Sequence, residues 1–197
     1  FVQEFAGGTS RNLTAGVNTT FWNDEDDHNV SKPPRFPVGW STDGQTLLLT
    51  DGWDVYRFPV RGGAPTNLTV NGKKDSIRYQ GRVGGIYENE RGIDLSKPQY
   101  FSAMSEWTKR AGYGVLEPGK LGLNMLLWED AMIGGLQKAP KGDTWIYRRE
   151  TPTDAPQVFV TDATLKNARK IVDMSPEAES LAWSAGAQLI EFKNAKG

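Results

Sequence analysis

One imidazole is available to this chain, His28, and it closes the acidic run Asp24-Glu25-Asp26-Asp27-His28. Carboxylates take hard cations, and an imidazole widens the choice of metal. The spacing argues against such a site. A calcium loop alternates its oxygen ligands around a central glycine and closes on a glutamate, and the run meets none of these conditions. It reads as a solvated loop, and no metal ligand is assigned. Nucleophilic chemistry is no better served. The absence of cysteine removes thiol catalysis, disulfides and Cys-based metal sites. A serine nucleophile needs a positioned base, and His28 is far in sequence from any Gly-flanked serine. The carboxylates show no pairing pattern that suits acid/base work. No catalytic or cofactor-binding residue is therefore assigned, and no cofactor is expected.

The remaining polar and aromatic candidates each have an ordinary structural reading. Asn12, Asn18, Asn29 and Asn67 each begin an Asn-x-Ser/Thr sequon, a glycan acceptor in a secreted eukaryotic protein; Asn12 and Asn67 belong to a repeat and have a structural reason to be there. Arg148 and Arg149 share a strand, so one can turn into a groove and pair with a carboxylate. The seven tryptophans could stack on a ligand, but wide flat side chains also fill the wedge between packed sheets. Trp40 and Trp183 are assigned to packing, Trp53 and Trp107 to exposed positions beside turns. Trp40 follows Phe36 and Val38 at period two, which places the three on one strand face and predicts Trp40 buried between sheets.

The elements that carry these residues show a repeat. Gly7-Gly8-Thr9-Ser10-Arg11-Asn12-Leu13-Thr14 recurs as Gly62-Gly63-Ala64-Pro65-Thr66-Asn67-Leu68-Thr69. A glycine pair, a polar stretch and Asn-Leu-Thr read as a tight turn into a short strand. A period of about 50 residues marks a repeat architecture in the size range of β-propeller blades, whose units bury their apolar faces only against neighbours.

Composition fits a folded domain. Apolar residues make up 38% and aromatics 11% of 197 residues, too aromatic for disorder and enough for a few blades. A net charge of −1 offers no electrostatic draw to nucleic acid or an anionic membrane, and no apolar run is long enough for a transmembrane helix. Phe1 to Phe5 lacks the basic start and cleavage site of a signal peptide and reads as a strand already under way. Both ends of the chain read as cuts through a longer protein.

Four units follow. Residues 1–14 would end one blade, with a strand through Phe5 and another at Asn12-Leu13-Thr14. Residues 15–34 form a polar connection. The clearest unit has strands at Phe36 to Trp40, Thr46 to Thr50, Trp53 to Val60 and Asn67 to Val70, with turns at Asp43-Gly44, Asp51-Gly52 and Gly62-Gly63. In its third strand Val55, Arg57 and Pro59 share one face, Tyr56, Phe58 and Val60 the other. A third unit runs from Ile77 through Tyr100 to Met104 and Gly112 to Leu116, with Leu121 to Asp130 read as strand and Glu88 to Asp94 as a charged loop. A fourth runs from Ile133 through Trp145 to Arg149 and Gln157 to Thr161, ending at Arg169 to Val172. The fold class is all-β: a partial β-propeller of three to four blades, each a four-stranded antiparallel sheet, over residues 1–183, the first blade incomplete.

The stretch Gly39-Trp40-Ser41-Thr42-Asp43-Gly44-Gln45-Thr46-Leu47, followed by Asp54-Val55-Tyr56 and Gly62-Gly63, resembles the repeat of propellers of the Tol-system and dipeptidyl-peptidase type. The positions of that structural repeat are Trp40, Asp43, Gly44, Gly62, Gly63, Asn67, Leu68 and Thr69. Asp94 to Ala103 with Trp107 to Gly114 resembles a propeller strand pair of bacterial prolyl oligopeptidase-family serine peptidases. Trp183 to Gly197 resembles that family's passage from the last blade into its α/β-hydrolase domain, so residues 184–197 are expected to be a linker or strand leading there. The family's Gly-x-Ser-x-Gly elbow is absent, and its triad needs a histidine after the serine. The resemblance thus implies the substrate-gating part of a serine peptidase, without the triad, with peptides as partners, a homo-oligomer possible through the parent, and a periplasmic or secreted compartment favoured over the cytoplasm. A non-catalytic, Tol-system-like propeller acting as a protein-binding scaffold is the alternative.

Overall fold

The computed structural model describes residues 1–3, 6–173 and 176–197. Its architecture is all-β, built of three four-stranded antiparallel sheets in chain order. The first holds β1 (Gly39–Trp40), β2 (Thr46–Thr50), β3 (Val55–Pro59) and β4 (Thr66–Asn67). The second holds β5 (Ile77–Arg82), β6 (Gln99–Ser105), β7 (Ala111–Leu116) and β8 (Asn124–Glu129). The third holds β9 (Met132–Lys138), β10 (Trp145–Thr151), β11 (Asp154–Thr161) and β12 (Arg169–Asp173). Within each sheet neighbours in sequence are neighbours in space, the up-and-down form of a propeller blade. Among the described residues the helices are α1 (Gly72–Asp75) and a single 3-10 turn at Pro176–Ser180. Neither is long and apolar enough to cross a membrane.

The turns form for the expected local reasons. Asp43 Oδ1 accepts from Ser41 Oγ at 2.6 Å and from the Gln45 amide at 2.9 Å, and Gly44 takes φ 66°, a conformation open to glycine. At the next turn Asp51 Oδ1 accepts from the amides of Trp53 and Asp54 at 2.9 and 2.8 Å, an Asx turn that closes the β2–β3 hairpin.

The second sheet is the middle layer. Phe101 and Leu116 on one face pack with Leu48, Val55 and Leu68 of the first sheet. Tyr113 on the other face packs with Ile133, Leu136, Trp145 and Tyr147 of the third. Covered on both sides, β7 is buried from Gly112 through Leu116, and simple alternation of exposure is lost. β6, one strand away, keeps it, with Gln99, Phe101, Ala103 and Ser105 buried. The faces of β3 are as expected, yet both are covered: Val55 belongs to the core between sheets, and Phe21 lies edge-on to Phe58 and Tyr56 with centroids 5.3 and 5.5 Å apart. The connection 15–34 thus supplies an aromatic plug to the outer face of the first sheet.

Three expectations need correction. Trp40 is 44% exposed, not buried. Gly39, at φ 151°, breaks the period of two: Val38 packs toward the core while Trp40 stands opposite Leu47 on the other face. Trp183 is likewise exposed, its indole donating to the Ala178 carbonyl at 2.7 Å. The first repeat copy forms no sheet among the described residues; Val2 and Arg11 make an isolated antiparallel bridge, Asn12-Leu13-Thr14 is a turn, and the strand expected at Phe5 lies outside the described residues. Residues 184–197, where a linker or strand is expected, form no strand, and Leu189, Ile190 and Phe192 are exposed.

Candidate functional site

The acidic run, read from the sequence as a solvated loop, has its base closed by backbone bonds from Asn23 to Pro33 (2.7 Å) and from Arg35 to Phe21 (2.9 Å). Inside the loop, Asp26 accepts from His28 Nδ1 at 2.9 Å and its carbonyl takes the Lys32 ammonium. Asp26, Asp27 and His28 come together as possible metal donors, but Asp27 and His28 are exposed and the local bonds explain the cluster.

Glu25 points the other way, into a cleft of about 510 Å³ between the first and second sheets. The cleft exists because Trp53, in the β2–β3 turn, and β5 are stitched together by the Tyr79 amide donating to the Trp53 carbonyl at 3.0 Å. Arg78 of β5 lies over the Trp53 ring with its guanidinium carbon 4.0 Å from the centroid, a cation–π contact. Its Nε donates to Glu106 at 2.6 Å, just beyond the end of β6. Its two Nη atoms grip Glu25, Nη2 to Oε1 at 2.5 Å and Nη1 to Oε2 at 3.1 Å, the bidentate fork suited to a carboxylate. Arg35 completes the set. Its Nη2 stands 3.9 Å from the same Glu25 oxygen and 3.3 Å from Asp24, while its Nε is buried without a hydrogen-bond partner.

The electrostatics follow from these contacts. Burial works against the charge of Arg78, but its hydrogen bonds and charge pairing with Glu25 and Glu106 outweigh this and raise its pKa. The Arg78 hydrogen bond lowers Glu106. The arrangement can hold a planar anion. The one imidazole of the chain, His28, is 78% exposed and paired with Asp26.

The repeat positions are occupied by structural work. Gly62 and Gly63 take φ 106° and 126° in the turn before β4. Asn67 Oδ1 accepts from the Val70 amide at 3.0 Å. Leu68 enters the core between the first two sheets, and Thr69 is buried against Asp54. Elsewhere, Arg149 pairs with Glu129 at 2.7 Å across the second and third sheets, as a strand arginine facing a groove should. Trp107 is exposed as expected; Trp53 is half-buried beneath Arg78. Sequence reading missed Glu25, Arg35 and Arg78 as a group. No local spacing links positions so far apart.

No protein-family model matches the chain, and no curated protein matches it. Among solved structures it is similar to one described as oligogalacturonate lyase in complex with manganese, at 13% identity and a TM-score of 0.47, over 69% of this chain and 40% of that one. The chain therefore spans well under two thirds of that relative's length, and so distant a likeness lends no residue, metal or substrate to the present protein.

Proposed function

We propose that this chain is the substrate-gating, blade-forming part of a prolyl oligopeptidase-like serine peptidase, with peptides as its partners and bond cleavage carried out elsewhere in the parent protein. One observation supports it most: the motif that resembles the peptidase propellers is spent on building a blade. Ser41, Asp43, Asp54 and Thr69 direct polar atoms to the turns and strand ends of the first sheet. Such sheets wall off a catalytic chamber by excluding bulk and water, and they need no reactive side chain to do so.

The test is a pair of proteins, residues 1–197 alone and the parent expressed from its natural coding sequence, each treated with a fluorophosphonate probe. Labelling of the parent but not of the isolated chain is expected. Labelling of the isolated chain overturns the non-catalytic role, and a silent parent overturns the peptidase reading in favour of a protein-binding scaffold.

A further inference from the structure

The Arg35–Arg78 cleft is more than a salt-bridged seam. Arg78 keeps its orientation without Glu25, because Trp53 supports the face of the guanidinium and Glu106 holds Nε. Both Nη atoms are then aimed at the cleft mouth, a ready fork for an incoming carboxylate. The two arginine side chains are inner groups, 15% and 18% exposed, whereas Glu25 is 53% exposed and forms the outer lip. An ion pair open to water on one side is weakly held. The Glu25 loop does not depend on it: the Trp22–Pro34 bridge and the Phe21 ring on Tyr56 and Phe58 fix its base. Arg35 also carries a donor too many, since Nε is buried without a partner. With Glu25 rotated out, Arg35, Arg78 and Lys109 face Glu106 in the cleft and Asp24 beside Arg35, which leaves a cationic excess. The volume lies in the range that holds small ligands.

We propose that the Arg35–Arg78 pair binds the C-terminal carboxylate of a peptide, and that Glu25 fills this site as an internal stand-in. Arg78 takes the carboxylate through its two Nη atoms, Arg35 supplies further donors, and the Trp53–Arg78 stack forms one wall. The proposal stands apart from the gating role, because it is read by binding and requires no hydrolase activity.

The experiment uses isothermal titration of the whole chain, wild type and Glu25→Gln, with acetyl-Ala-Ala-Phe as the free acid, its C-terminal amide, and acetate. Glu25→Gln should bind the acid at least tenfold more tightly than the wild type does, leave the amide unbound, and lose binding when Arg78→Lys is added. Arg78→Lys keeps the charge but removes the fork, and thermal unfolding confirms that each variant is folded; Glu25→Ala serves if Glu25→Gln is not. Equal affinity of acid and amide, no gain on removing Glu25, or no loss on changing Arg78 overturns the carboxylate site. Acetate binding as tightly as the tripeptide overturns the peptide assignment.

Discussion

Thr69 donates its hydroxyl to Asp54 Oδ1 across 2.6 Å, and the Thr69 hydroxyl oxygen accepts in turn from the Val55 amide at 3.0 Å. Asp54 also receives the Gly72 amide at 3.1 Å, so one buried pair ties the start of β3 to the end of the first blade. Thr69→Val keeps the shape and removes the hydroxyl. It should cost roughly 2–3 kcal/mol by leaving a buried donor and a charged acceptor short of a partner. Thr14→Val, in the copy that forms no sheet and whose hydroxyl reaches the neighbouring Asn12 side chain, should stay within about 0.5 kcal/mol. Urea unfolding of both variants checks the contrast.

The tryptophans separate in the same way. Trp145 is 1% exposed and packs against Tyr100 with centroids 4.8 Å apart, so Trp145→Ala should lose about 3–5 kcal/mol. Trp40 stands on the exposed outer face, and Trp40→Ala should lose less than about 1 kcal/mol. Thermal melts that rank the two in the opposite order would place the core between the wrong sheets.

Gly112 is a tight point of the middle sheet. A Cβ there would lie 1.8 Å from the Leu127 carbonyl oxygen, inside the β7–β8 pairing. Gly112→Ala should cost about 3 kcal/mol or more through forced backbone shifts, and loss of cooperative unfolding is the readout.

All six tyrosines have pKa values above the ordinary 10, chiefly through burial, and Tyr56 and Tyr87 are pushed up to about 12. A raised folded value means that the unfolded chain loses its phenolic protons first as pH climbs. This contribution to stability is complete below pH 10 and is lost as pH rises toward about 12. Phenolate absorbance should lag behind that of the urea-unfolded chain, and the melting temperature should fall across the same window. Ordinary tyrosine titration in the folded protein would contradict the packing of these rings.

Much of the fold was legible because it is local. Asp-Gly pairs set the hairpins within a few residues, and the Asp43 and Asp51 side chains close their own turns. What failed were the inferences at Trp40 and at the first Asn-Leu-Thr copy, which needed knowledge of a neighbour. The Trp40 face depended on Gly39 and on Ile93, whose backbone pairs with that of Trp40 and Thr42 from a distant loop. Asn-Leu-Thr is the same text twice, yet only the copy at Asn67 has Asp54 and a second sheet beside it.

The sequence by itself determined the all-β class, three of the four units read from it and their turns, since strand alternation and glycine φ preferences act over a few residues. Tertiary structure alone decided which faces are buried and which charges meet. The union of Glu25, Arg35 and Arg78 joins a connection to a strand of the next sheet, and charges so far apart along the chain meet only where packing brings their elements together.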